Sequence, residues 1–181
     1  MCRNESARAT LPQTLPAREG GHAAVAPVLV VGCGNKLAGD DAFGPAVIAE
    51  LQRRRLPGVE CVDLGMRPFA LCERLPGRAA LVVVDAAETT GGIAAGELVD
   101  VDFFAADVRL LHDVALSTHG LSLPDELEMA RTLGWLPAEV RLVAATVNDA
   151  TVGKPMTAAT CELVQAAVEC IVRRTSAINL G

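Results

Sequence analysis

The six cysteines of this 181-residue chain include no Cys-x-x-Cys pair. Cys2, Cys33, Cys61, Cys72, Cys161 and Cys170 are scattered, which excludes the paired-thiolate sets of zinc fingers and thioredoxin-like redox sites. No apolar run reaches the length of a membrane span. The start of the chain has no apolar segment of the signal-peptide kind. Without a leader or a small cysteine-dense scaffold, reduced thiols and a cytoplasmic location are expected. Basic surplus is lacking too: 16 Lys and Arg face 22 Asp and Glu, a formal net charge of −6. That balance argues against nucleic acid as a partner. Only Arg53-Arg54-Arg55 forms a tight basic run, and it reads as the end of a helix, where cations suit the dipole. There is no Gly-x-Ser-x-Gly elbow and no His-Glu-x-x-His helix, so two common hydrolytic sites are excluded. No internal repeat is visible.

What is present suits a globular domain. The length fits one domain with a sizeable core, and 51% of the residues are hydrophobic. Residues 1–26 read as a loose, disordered extension, with two prolines between Leu11 and Pro16 and no hydrophobic period. His22 falls in it and carries no expected role. Residues 27–181 then read as a single α/β domain.

Along that domain, strands and helices alternate. Val28 to Val31 is short, β-branched and stopped by Gly32, so it predicts a buried strand. Phe43, Val47, Ile48 and Leu51 predict a helix that ends near Arg54. Val59 to Leu64 predicts a second strand, and a short helix is expected from about Pro68 to Glu73. Ala79 to Asp85 is nearly all apolar, as in a parallel strand covered on both faces. Gly96 to Asp102 alternates and suits an edge strand. Phe103 to Leu116 carries no clear period. Ser122-Leu-Pro-Asp125 resembles a capping box opening a helix that stops at Gly134. Glu139 to Val147 predicts the last strand, and a helix from about Met156 to Arg173 follows. This order implies a three-layer α/β fold with a mostly parallel sheet of about five strands flanked by helices.

The stretch from Gly32 to Pro45 carries the chemistry. A strand runs through a glycine turn into Asp40 and Asp41, and these open a helix. Asp40 reads as an N-cap and Asp41 as a first-turn acid. Capping alone would account for both. A dinucleotide phosphate loop is a second reading, with Asp63 in the place of a ribose-binding acid. But Leu37 stands where a third glycine belongs, and two carboxylates stand where a pyrophosphate needs positive field. Asp85 closes a buried strand at the same sheet edge, where α/β proteins keep their ligand sites. His119 precedes a helix, with His112 as its rival. Two carboxylates and an imidazole would suit a borderline divalent metal such as nickel or zinc. Cys33, in the turn, is a second candidate nucleophile if its thiol is acidified there.

The Gly32-x-Gly34-Asn35-x-Leu37-x-x-Asp40-Asp41-x-x-Gly44 pattern resembles the signature of the hydrogenase maturation endopeptidases. The resemblance extends to about Ile171 and takes in Asp85 in Val-Val-Val-Asp-Ala and His119 in Ser-Thr-His-Gly-Leu-Ser. It implies an enzyme that removes a C-terminal extension from the large-subunit precursor of a nickel–iron hydrogenase. It also implies that Asp41, Asp85 and His119 are the catalytic and metal-contacting residues. The nickel would be carried by the precursor and serve as the recognition signal. No nucleic acid or membrane partner is expected, and the protein is expected to act as a monomer. Metal-assisted hydrolysis is the mechanism so implied. A nickel-sensing chaperone that holds the precursor without cutting it is the alternative, followed by a dinucleotide-binding oxidoreductase. Where the family often has Gly-Leu-Ser before its last helix, this chain has Gly153-Lys-Pro-Met-Thr157.

Overall fold

The valines of the first strand sort into two sets by parity, and that sorting builds the layers. The computed structural model describes residues 25–66, 71–89, 94–104, 114–116 and 123–178. Its elements in chain order are β1 (Val28–Cys33), α1 (Phe43–Arg54), β2 (Val59–Gly65), β3 (Ala80–Thr89), β4 (Leu98–Asp102), β5 (Val114–Leu116), α2 (Leu123–Thr132), β6 (Glu139–Val147) and α3 (Ala158–Ile178). Short 3-10 turns precede α1, at Gly39–Ala42, and precede β3, at Cys72–Arg74. Leu29 and Val31 point to the side shared with Leu81, Val83, Leu142 and Leu127. Val28 and Val30 point to the side shared with Phe43, Ile48, Leu51 and Ile171. The period of two therefore places α1 and α3 on one face and α2 with the Cys72–Arg74 turn on the other.

The sheet order is β2-β1-β3-β6-β4, with β5 beside β3. β1 is parallel to β2 and β3, and β3 is parallel to β6. The edge strand β4 runs antiparallel to β6, and β5 runs antiparallel to the end of β3. The three-layer, mostly parallel α/β architecture is the one the alternation implies. The unassigned stretch from Phe103 to Leu116 contributes β5. Among the described residues no helix is long and apolar enough to cross a membrane.

Three local expectations need correction or bounds. The N-cap position of α1 is held by Ala42, which makes no side-chain cap bond. Asp40 does not cap its own helix, because its carboxylate is engaged across the chain. The Thr157 N–H donates to Asp40 Oδ1 at 2.7 Å and the Thr157 hydroxyl to Oδ2 at 3.1 Å. Thr157 in turn accepts from the Thr160 N–H at 3.3 Å and so caps α3. The last helix runs on to Ile178, five residues past Arg173. The expected extension lies outside the described residues except for Val25 and Ala26. Ser122 and residues 68–70 of the expected Pro68–Glu73 helix also lie outside them, and the end of that segment forms the Cys72–Arg74 3-10 turn.

The arginine run behaves structurally. Arg53 pairs with Glu50, while Arg54 reaches Glu169 of α3 at 2.8 Å. Arg55 closes α1 in the left-handed region, φ 50°, with its N–H on Leu51 O.

Candidate active site at the carboxyl edge of the sheet

Glycines set the site by letting the backbone close in. A Cβ on Gly44 would lie 2.2 Å from Cys33 O and 2.6 Å from Val84 O. The first turn of α1 thus rests on the ends of β1 and β3 together. A Cβ on Gly32 would meet Gly44 O at 2.7 Å, so the approach is tight from both sides. Gly34 has φ +121° and would place a Cβ 2.0 Å from Asp41 O. Only glycine fits there, on both conformational and steric grounds. The parallel register of β1 and β2 shifts between Gly32 and Cys33, which turns the chain out of the sheet.

The turn then fixes Asp41. The Asn35 N–H donates to Asp41 Oδ2 at 2.7 Å, and Asn35 Oδ1 accepts from the Leu37 N–H at 3.0 Å. Asp41 is 8% exposed. Val84 touches the start of α1, and the next residue of β3 is Asp85, which is 3% exposed. Its Oδ1 accepts from the Ala86 N–H at 2.8 Å. Burial away from water raises the Asp85 carboxyl from 3.8 to about 8; the Ala86 bond opposes this and the Asp41 charge adds to it. Near neutral pH Asp85 therefore keeps its proton beside an acidic neighbour. A carboxyl shut away from water behaves this way, and a like charge nearby adds to the effect.

Of the residues that the sequence singles out, the structure brings Asp41 and Asp85 to one place. His119 and its rival His112 lie outside the described residues. Among the described residues, no group of three or more His, Cys, Asp or Glu stands ready to hold a metal.

Cys33 does not suit nucleophilic attack. Burial, followed by the negative charges of Asp85, Asp63, Glu126 and Asp41, pushes its thiol well above the ordinary range. A thiol held neutral is a packing group. Asp63 is not free for a ribose either. It pairs with Lys36 at 2.5 Å and accepts from the Gly65 N–H at 2.9 Å. It lines a cavity of about 790 Å³ beside the turn, with Asn35, Leu37, Met66 and Arg74. The two carboxylates at the mouth of α1 oppose a pyrophosphate there.

Two features escaped sequence reasoning. The Thr157 clasp on Asp40 joins residues 117 apart, and no local pattern announces it. Glu126 is fully buried on the opposite face, where its Oε2 accepts from the Cys72 N–H at 3.2 Å and its Oε1 has no hydrogen-bond partner among the described residues. Its place in a helix rich in acids gives no hint of burial.

Comparison with known proteins matches this architecture. A relative from Methanocaldococcus jannaschii assigned to the hydrogenase maturation proteases is 51% identical over 39 residues. That match spans 21% of this chain and 25% of the relative's own length. The hydrogenase maturating endopeptidase HybD from E. coli is similar in structure, with TM-score 0.69 and 26% identity, over 80% of this chain and 88% of that one. A hydrogenase 2 maturation peptidase from a Thaumarchaeota archaeon is similar at TM-score 0.60 and 27% identity, over 82% and 97% of the two chains. The family described as hydrogenase maturation protease matches residues 45–174. A family match over more than half its length, on the same fold, means that this chain belongs to the hydrogenase maturation protease family.

Proposed function

We propose that the protein removes a C-terminal extension from the large-subunit precursor of a nickel–iron hydrogenase, after nickel has been inserted. Asp41, Asp85 and His119 are the residues assigned to this work. The observation that carries the reading is the pairing of Asp41 with a buried, proton-holding Asp85 at the carboxyl edge of the sheet. A site of this kind has little pull on a free cation, since binding must first displace a proton. It therefore suits a nickel ion that arrives already held by the substrate.

Asp85 releases its proton to solvent when the cation-bearing segment docks, and its carboxylate then faces that segment beside Asp41. Hydrolysis adds the oxygen of water to the scissile carbonyl carbon, breaks the C–N bond and delivers a proton to the leaving amine. A carboxylate or His119 takes the proton from the attacking water. Cys33 takes no part. The reaction belongs to the cytoplasm, with the protein acting as a monomer.

The test is the intact mass of a nickel-loaded precursor before and after incubation with the protein. A discrete loss of a C-terminal peptide, absent with nickel-free precursor, is the expected result. A stable complex with unchanged mass would make the protein a chaperone instead. Asp41→Ala is expected to abolish the mass loss while leaving the melting temperature within a few degrees. Normal processing by that variant would remove Asp41 from the mechanism.

A further inference from the structure

The most exposed large hydrophobic residues of the described chain are neighbours. Leu37 is 72% exposed and Val152 is 70% exposed. They sit on two loops at the carboxyl edge of the sheet, and those loops are stitched by backbone bonds. The Gly153 N–H donates to Leu37 O at 2.7 Å, the Gly39 N–H to Lys154 O at 3.1 Å and the Asp40 N–H to Asp149 O at 3.0 Å. A Cβ on Gly39 would lie 2.7 Å from Asp149 O, so the loops touch without a gap. Each loop is also braced within itself. The Leu37 N–H bonds Asn35 Oδ1 at 3.0 Å, and the Thr151 N–H bonds Asp149 Oδ1 at 3.0 Å. The two aliphatic side chains thus stand out from a preformed frame.

Packing does not explain them, since neither side chain enters the core. Charge does not explain the surface either. Lys36 is paired with Asp63 and Lys154 with Asp149 at 2.7 Å, so the cations beside the knob are answered within the chain. A neutral rim around two exposed aliphatic groups suits an apolar recess on another protein. The knob continues into the candidate site. Leu37 and the 3-10 turn that bears Asp41 are consecutive parts of one loop, and Asn35 bonds both Leu37 and Asp41. A polypeptide seated at Asp41 therefore lies against it. Val152 also adjoins Gly153-Lys-Pro-Met-Thr157, the stretch that departs from the family pattern.

We propose that Leu37 and Val152 form a preorganised apolar knob that docks into the body of the precursor and helps choose which precursor is accepted. This rests on the proteolytic reading given above. Leu37→Asp combined with Val152→Asp tests it, because both side chains are exposed and the fold is expected to keep its melting temperature. Binding of nickel-loaded precursor is measured by calorimetry, separately from cleavage by intact mass. The double variant is expected to bind at least about tenfold more weakly, with KM raised and kcat at saturation unchanged. Leu37→Met with Val152→Ile is expected to bind like the parent.

If the parent binds and cuts and the double variant binds equally well, the docking proposal fails and the proteolytic reading stands. A parent that binds without cutting sinks the proteolytic reading alone, and the docking proposal then stands on weaker binding by the variant. Failure of the parent to bind at all overturns both. A parent that sediments as a dimer and a variant that sediments as a monomer would show the knob covered by a second copy, and the proposal would be wrong.

Discussion

A carboxyl group shut away from water prefers its proton, and Asp85 is the residue where this preference matters. Its folded value of about 8 stands above its ordinary 3.8. Between those values the native state holds a proton that the unfolded chain has released, so stability falls as pH rises through that window and levels off above it. Asp85→Asn removes the ionisable group while keeping its shape. The variant is expected to melt higher than the parent at pH 8 and near it at pH 4. Each kcal/mol of relief is worth about 2–4 °C in a chain of this size. A gain as large at pH 4 as at pH 8 would mean that ionisation is not the cause. The acid itself was legible in the sequence as the polar residue after an apolar run, but it does not close the strand as expected, because β3 stays paired with β6 beyond it and runs on to Thr89. Its proton was not, because burial and the nearness of Asp41 depend on residues far apart in the chain. Cys33 shows the same limit. Its position in a turn before a helix suggests an acidic thiol, yet burial above all, and then the surrounding carboxylates, prevent one. Cys33→Ala is expected to process precursor within about twofold of the parent, a change of well under 1 kcal/mol; a loss of activity in a variant that still folds would restore the thiol to the mechanism.

At the scale of elements, the join of β1 to α1 depends on the missing side chain of Gly44. Gly44→Ala drives a Cβ into two backbone carbonyls that cannot turn aside, and a destabilisation of about 1–3 kcal/mol is expected from such overpacking. Chemical denaturation would read it as a lower midpoint with an unchanged slope. The strands were readable because β-branched runs ending in glycine have few alternatives; β6 has the bounds its sequence implies. The helix starts were less readable. Asp40 has the chemistry of an N-cap and follows a turn, so local reasoning assigns it to its own helix. The tertiary partner Thr157 wins because it offers two donors, and the 3-10 turn at Gly39–Ala42 aims the carboxylate away from α1.

At the scale of the whole molecule, one acid ties the far edge together. Asp100 of β4 accepts from Arg141 of β6 at 2.7 Å, from Arg174 of α3 at 2.8 Å and from the Cys170 thiol at 3.4 Å. Burial alone would raise its carboxyl, but these bonds together hold it below its ordinary value. The stabilisation is therefore present above the ordinary carboxylate range and is lost as pH falls through the folded value. Asp100→Asn is expected to cost about 2–3 kcal/mol at pH 7 and progressively less under acid, read by thermal melts across pH. A cost that does not shrink on acidification would separate the network from its charge. The alternation of strands and helices made the layered architecture legible. The pairing of one edge strand with two arginines from different elements was not, since charges carry no address in the sequence.

The clasp between Asp40 and Thr157 also orders events in time. The turn that presents Asp41 is made near the start of the chain, but its anchor is made 117 residues later. A contact of that separation forms after the local ones, because a long loop must close first. A growing chain that has not yet released α3 from the ribosome lacks the anchor and holds its acid turn loosely. The Asn35 bond to Asp41 can form at once, whereas the hold on Asp40 waits until Thr157 has joined the chain.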